Sequence, residues 1–253
     1  MATKKKSRMR KVYFLRFLYR VCVLIALAVL FAVRPESADV IGGTAVFSHF
    51  HPTHLFLYAL WGIWMFDMIF QIVPSKGWFS MGSLKVFGRN YSPCANCDQV
   101  DRRALRKKYF KEGLKIWCFW GPLSAALAFA WFLWLKPLGA YWFPMLFVAA
   151  FYVCDLICVL FWCPFRVWFM KNRCCTTCRI FNWDHFMMFS PLVFMGGFFG
   201  LSLFIMSLIA LLVWEFAIML YPERFWEMTN VSLKCSECTD KLCTQYCRKL
   251  RKD

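Results

Sequence analysis

The sequence contains too few charged residues for a soluble protein of its length. Only 18% of the 253 residues are charged, and there are only 14 acidic residues and 4 histidines, whereas an ordinary soluble domain has about 25% charged residues. The sequence also lacks a phosphate-binding loop, a GxSxG nucleophile motif and the glycine run of a dinucleotide-binding fold. These absences argue against the soluble enzyme classes that depend on such motifs.

Hydrophobic residues are abundant instead. They make up 60% of the chain, 20% of the chain is aromatic, and the mean hydropathy is +0.49. A hydrocarbon core of roughly 30 Å is crossed by about 20 apolar helical residues. The sequence therefore predicts an all-α polytopic integral membrane protein with about five apolar helical segments. Four crossings are predicted over residues 13–33, with its early arginines near the interface, and over 53–73, 116–135 and 141–162.

The last apolar stretch, residues 186–221, has two interpretations. It could form one tilted helix, or a re-entrant hairpin that bends at Gly196, Gly197 and Gly200, since glycine tolerates such bends. The tail that follows contains seven Lys and Arg residues from Arg224 onward, and positive charge favours the cytoplasmic side. We therefore expect a hairpin of two short halves, which returns the tail to the side from which the stretch began.

The distribution of basic residues predicts the orientation. Residues 1–20 contain eight Lys and Arg, residues 74–115 contain ten and residues 163–182 contain four, whereas the opposite connections hold only Arg34 and Lys136. Positively charged segments remain in the cytoplasm. This bias, together with attraction to the lipid bilayer, explains the net charge of +17. We therefore expect no nucleic-acid partner. We expect a multi-pass protein of a bacterial or archaeal inner membrane, with its N-terminus in the cytoplasm.

This orientation divides the chain into three parts. Residues 1–12 form a basic cytoplasmic N-terminus, and residues 222–253 form a basic, cysteine-rich C-terminal tail. Between them, residues 13–221 form the transmembrane helical domain, whose cysteine-bearing loops are residues 74–115 and 163–182.

Nine of the 14 cysteines lie in polar, basic segments. The two loops each contain a CxxC pattern, and both should emerge at one cytoplasmic surface, where thiols stay reduced. Two such pairs can build one four-thiolate site for an iron–sulfur cluster or Zn²⁺. The tail spacing C-x2-C-x4-C-x3-C predicts a second site, or two disulfides if the tail lies outside. The predicted metal ligands are Cys94, Cys97, Cys178 and either Cys174 or Cys175 for the first site, and Cys235, Cys238, Cys243 and Cys247 for the second.

These cysteine sites lead to a functional hypothesis. Without a soluble catalytic domain, the chain is typical of an electron conduit, such as the membrane subunit of an oxidoreductase, with iron–sulfur clusters of the 4Fe–4S type. It would connect a soluble or membrane redox partner protein to an acceptor such as a quinone. One alternative is a non-enzymatic membrane protein whose structural zinc knuckles bind partners. Another is a thiol-redox protein that uses its CxxC pairs directly.

The remaining five cysteines lie in or beside apolar helices, where cysteine commonly acts as a small hydrophobic residue. They are Cys22, Cys118, Cys154, Cys158 and Cys163. Of these, Cys154 and Cys158 are four residues apart and share one helical face, which is a weak indication of a further role.

Histidines and carboxylates supply the other candidate site residues. His49, His51 and His54 could bind a metal, a haem edge or a quinone headgroup, or could simply form a polar cap at the start of a helix. Carboxylates inside apolar helices, here Asp67, Asp155 and Glu215, usually face a cavity, a partner charge or a proton path. Asp155, with Asp184 and His185 after the second cysteine loop, is predicted to form a catalytic acid–base relay; the alternative is interhelical hydrogen bonding.

Overall fold

The protein is mostly helical in the part of the chain that the structure describes. The computed structural model describes residues 8–38, 52–73, 85–87, 91–94, 101–171 and 178–234. These residues are 84% helical and contain no strands. Within the described residues the α-helices are α1 (Arg8–Val33), α2 (Pro52–Ile72), α3 (Arg102–Ala130), α4 (Trp142–Leu160), α5 (Ile180–Phe189) and α6 (Gly197–Leu220).

Five of these helices are long and apolar enough to cross a membrane. The candidate spans are residues 10–33, 54–72, 102–135, 142–160 and 197–220. This confirms the prediction of about five apolar helical segments, which fits a multi-pass membrane protein. The end of α1 and both boundaries of α2 and α4 lie within two residues of the predicted crossings, whereas α1 begins at Arg8, five residues before the predicted start.

The third helix begins much earlier than its apolar run. Residues 102–115 are strongly basic, yet α3 starts at Arg102, directly after Asp101, whose carboxylate accepts a hydrogen bond from the Arg103 amide at 2.8 Å. Such an N-cap satisfies a donor that the first turn leaves free. The helix then continues to Ala130 and into a short π-helical turn, Trp131–Leu135. The basic segment is therefore the first part of a single long helix.

The chain reverses direction between α5 and α6. A 3₁₀ segment, Ser190–Met195, follows α5, and both Gly196 and Gly197 have positive φ angles, a conformation that glycine adopts without steric cost. The reversal returns the end of α6 to the start of α5, where Arg179 bonds Glu215 at 2.7 Å. The bend lies at the predicted glycines, but the prediction of two short halves was wrong, because α6 continues for 24 residues.

The cysteine-bearing segments begin or end at the same end of the helical bundle. Arg102, at the start of α3, forms an ion pair with Glu223 just beyond α6, at 3.4 Å. Cys94 donates its backbone N–H to the carbonyl of Thr229 at 3.0 Å. Since the start of α5 also meets the end of α6, the first cysteine loop, the second cysteine loop and the tail all approach one end of the bundle.

The bundle has an apolar interior and an apolar exterior. The largest core cluster joins α1, α2, α4 and α6 around fully buried side chains such as Leu27, Trp64 and Met145. Large apolar side chains also point away from the protein, among them Leu15 (68% exposed) and Phe129 (62%). An outward apolar surface of this extent is unusual for a soluble monomer.

Candidate functional site

Arg20 is the centre of a group of charged side chains that lies between helices. Its side chain is 7% exposed, and Nη1 donates to Asp155 Oδ2 and to the carbonyl of Tyr152, both at 2.6 Å. Nη2 lies 3.4 Å from Asp67 Oδ2, and the guanidinium carbon lies 3.7 Å from the centre of the Tyr152 ring. The guanidinium thus binds α1 to α2 and α4. The placement of the early arginines of α1 near the interface stays a prediction; the structure adds that the Arg20 side chain is buried between helices.

A histidine–carboxylate pair lies beside the ion pairs of Arg20. His185 Nδ1 lies 2.6 Å from Asp184 Oδ1, and the backbone N–H of His185 donates to the same oxygen at 2.6 Å. Gln71 Nε2 also donates to this oxygen at 3.1 Å. The other ring nitrogen, Nε2, lies 3.8 Å from Asp67 Oδ2, so Asp67 connects the two halves. We call Arg20, Asp67, Asp155, Asp184 and His185 the charge cluster.

The charge cluster is rich in acid. Three carboxylates face one arginine and one histidine, with Arg16 lining the same small cavity of about 50 Å³. Buried carboxylates are stable only when they are paired, hydrogen-bonded or protonated. An imidazole beside a carboxylate can take up and release a proton. The charge cluster can therefore bind a proton at His185 and pass it to a neighbouring carboxylate.

A larger cavity opens beside the charge cluster. It has a volume of about 470 Å³ and lies between the C-terminal half of α4, the turn that follows it, and α5. Its lining is mainly apolar and aromatic, including Phe151, Trp162 and Met188. Volumes of 300–1,000 Å³ with few polar groups are typical of small-molecule sites. Four cysteines also line it, and we call it the cysteine cavity: Cys154, Cys158, Cys163 and Cys178.

Two carboxylates belong to both features. Asp155 and Asp184 line the cysteine cavity and also the small cavity of the charge cluster. They therefore form a shared wall between a space that can hold a ligand and a set of side chains that can hold a proton. All three predicted catalytic residues, Asp155, Asp184 and His185, meet in the charge cluster, and their catalytic role stays a prediction.

Two thiols of the cysteine cavity contact each other. Helix α4 ends at Leu160, and the next residues turn back, so that Cys163 accepts a hydrogen bond from Cys158, in the last turn of α4. Cys163 Sγ also accepts the Arg166 backbone N–H at 3.3 Å. The hydrogen bond from Cys158, followed by that N–H and the Arg166 charge, lowers the pKa of Cys163 to about 6 despite its burial. Each of these three contacts favours the thiolate form of Cys163.

Only Cys94 and Cys178, of the nine predicted metal ligands, lie within the described residues. Cys178 is buried in the wall of the cysteine cavity, and Cys94 lies beside the residues that lead into the tail. Within the described ranges, no three Cys, His, Asp or Glu side chains are grouped to hold a metal ion. The predicted ligands outside the described residues are Cys97, Cys174, Cys175, Cys235, Cys238, Cys243 and Cys247.

Of the predicted histidine site, only His54 lies within the described residues. His49 and His51 are outside the described residues, and His54 is in the first turn of α2. Asp67 is 13 residues further along the same helix, which corresponds to about 20 Å at 1.5 Å per residue. His54 therefore lies at the opposite end of the bundle from the charge cluster.

Sequence reasoning missed several residues of the site. Arg20 and Gln71 are polar residues in apolar helices, and their partners could not be identified without the helix packing. Part of the cysteine cavity was indicated by the sequence, since Cys154 and Cys158 share a helical face. Cys163 carried no such signal because it lies beyond the helix and meets Cys158 only through the turn.

Comparisons of the chain with protein-family models, with curated proteins and with solved structures gave no match. The functional argument therefore depends on the geometry of the charge cluster and the cysteine cavity.

Proposed function

We propose that the chain is an integral membrane electron-transfer protein that passes electrons between a cytoplasmic partner and a quinone-class acceptor in the cysteine cavity. The observation that supports this most is the shared wall of Asp155 and Asp184 between the cavity and the charge cluster. A quinone needs an apolar space for its ring and tail, and reduction to a quinol requires two electrons and two protons. The cavity offers the apolar space, and the cluster offers groups that can supply protons.

The membrane setting is supported by the exterior of the bundle. Five candidate spans and outward apolar side chains suit a lipid environment. The cysteine cavity lies near the end of the bundle that carries most basic residues, which the charge bias assigns to the cytoplasm. In this proposal the protein lies in a bacterial or archaeal inner membrane, and a lipid-soluble quinone reaches the cavity from the bilayer.

The cysteines of the loops and tail are proposed to hold the electron-carrying groups. Their thiolate donor sets suit iron–sulfur clusters, with zinc as the alternative metal. When bound, such a cluster would supply one-electron transfer to the cytoplasmic partner. The approach of all three cysteine segments to one end of the bundle supports this part of the proposal, as does the basic character of those segments, which stabilises thiolates.

Quinone binding tests the acceptor site. Ile157 lines the cysteine cavity, whereas Ile205 is 53% exposed on the outer face of α6. The protein in lipid nanodiscs should bind a short-chain quinone saturably, at about one per chain. Ile157→Trp should fill part of the cavity and weaken binding at least about tenfold, whereas Ile205→Trp should leave it unchanged. A wild-type protein that binds no quinone, or equal effects of the two substitutions, would refute the acceptor site.

Metal analysis after anaerobic purification tests the electron-carrying groups. Iron with acid-labile sulfide and a visible spectrum that bleaches on reduction is the expected result. Stoichiometric zinc without iron would instead support the zinc-knuckle alternative, since zinc has no redox chemistry. One contact favours that alternative: the Cys94 backbone is paired with Thr229, so a zinc ion there would fasten the first loop to the tail.

A further inference from the structure

The turn after α4 brings two thiols of the cysteine cavity together, those of Cys158 and Cys163. Cys158 is the residue two before the end of α4, and Cys163 follows in the turn after the helix. The turn itself is fixed, because the backbone N–H groups of Phe161 and Trp162 both donate to the carbonyl of Ile157, at 2.9 and 3.1 Å. This turn brings the second thiol back against the first.

The surroundings of the pair suit redox chemistry better than simple packing. A cysteine that serves only as a small apolar residue has no need of a second thiol, a backbone N–H donor and a buried arginine around it. Here Cys163 has all three, since Arg166 is 3% exposed and lines the same cavity. A lowered thiol pKa is typical of reactive cysteines. Both thiols also face the space proposed for the acceptor.

We propose that Cys158 and Cys163 form a redox-active dithiol that a quinone bound in the cysteine cavity oxidises to a disulfide. The S–H bonds of Cys158 and Cys163 break, and one S–S bond forms between the two sulfurs. The quinone gains two electrons and two protons and leaves as the quinol. Both protons come from the two thiols, and Asp184, which lines the same cavity, can relay a proton to the quinone. A transient disulfide of this kind is compatible with a reducing cytoplasm.

This inference rests on the proposed function, because the cavity ligand is the oxidant. It adds the identity of the group that donates electrons to the quinone. The carriers predicted from the sequence are the CxxC pairs of the loops and tail, whereas this pair has the spacing C-x4-C and lies at the end of a membrane helix.

The test uses the full-length protein in nanodiscs, reduced with dithiothreitol and desalted without oxygen. A water-soluble short-chain ubiquinone is added, free thiols are alkylated, and the digested protein is analysed by mass spectrometry while quinone absorbance is followed. We expect a Cys158–Cys163 linked peptide and about one quinol per chain. A parallel sample without quinone should show both thiols alkylated.

Serine variants give the matched comparison. Cys158→Ser and Cys163→Ser should each reduce quinol formation at least about tenfold while quinone binding is retained. Cys22→Ser and Cys118→Ser, at thiols exposed on α1 and α3, should form quinol at the wild-type rate. The linked peptide in the wild-type protein needs no variant and stays informative even if a serine variant does not fold.

The outcomes separate the inference from the function on which it rests. If the quinone binds but Cys158 and Cys163 remain alkylated, or if another cysteine pair becomes oxidised instead, the dithiol is refuted and the acceptor site stands. If no quinone binds, the acceptor site is refuted and the dithiol with it.

Discussion

Replacement of Arg20 by methionine tests whether the charge cluster holds the bundle together. The substitution keeps an unbranched apolar side chain of helical preference but removes the guanidinium. It therefore deletes the contacts at 2.6 Å with Asp155 and at 3.4 Å with Asp67. It also deletes the hydrogen bond to the Tyr152 carbonyl at 2.6 Å. Two partly buried carboxylates, Asp155 and Asp67, are left without their arginine.

The expected loss is large because the remaining carboxylates stay buried. Removal of one partner of a buried ion pair costs about 3–5 kcal/mol, mostly through the uncompensated charge. For a chain of this size each kcal/mol corresponds to about 2–4 °C in Tm, so the Tm should fall by roughly 6–20 °C. The low-dielectric surroundings of a bilayer should not reduce this value, since charge is costly there as well.

Thermal unfolding in nanodiscs, followed by circular dichroism, measures the effect. Arg10→Met is the matched control, since Arg10 is exposed on the same helix, and it should change the free energy of unfolding by less than about 0.5 kcal/mol. A second substitution, Asp155→Asn in the Arg20→Met background, should restore part of the lost stability. If the free energies of unfolding of Arg20→Met and Arg10→Met differ by less than about 1 kcal/mol, the ion pairs do not hold the helices together and the reasoning fails.

Three further predictions concern the hairpin and the thiol pair. A Cβ on Gly200 would lie 2.5 Å from a carbonyl oxygen of the preceding 3₁₀ segment, so Gly200→Ala should destabilise the protein by about 1–3 kcal/mol. Gly62→Ala, with open space around it, should be neutral or stabilise by up to about 1 kcal/mol. Glu215→Gln should destabilise by about 3 kcal/mol or more, because a buried arginine loses its carboxylate; an unchanged Tm would contradict this. Alkylation of Cys163 by a small neutral reagent should rise with pH through about 6, and Cys158→Ala should move that rise to higher pH; an identical profile would contradict the thiol contact.

The sequence predicted the helices well because their boundaries depend on local properties. The apolar runs of α1, α2 and α4 end shortly before a charged residue or a proline, namely Arg34, Pro74 and Pro164. The reversal at Gly196 and Gly197 was also predictable, since few other residues adopt positive φ. The start of α3 was not, because its first turns are basic and resemble a separate surface helix, whereas the cap at Asp101 joins them to the apolar part.

The candidate site was predictable only in part because it is built from contacts between distant segments. Asp155, Asp184 and His185 attract attention in the sequence, as charged or titratable residues among apolar ones. Their partners do not, since Arg20 is 135 residues from Asp155 along the chain. Cys163 meets Cys158 through a turn whose direction depends on backbone hydrogen bonds rather than on residue type.

Within the charge cluster, the arginine ion pairs and the histidine–carboxylate pair are suited to different tasks. Arg20 does not release a proton in proteins, so its contacts with Asp155 and Asp67 fix the positions of helices and hold charge in place. His185 can gain and lose a proton, and its partner Asp184 lies in the wall of the cysteine cavity. In the proposed function, proton exchange with a bound acceptor would therefore fall to Asp184 and His185. Arg20 would hold the shared wall in place during that exchange, and Asp67, in reach of both Arg20 and His185, would connect the fixed charge to the titrating one.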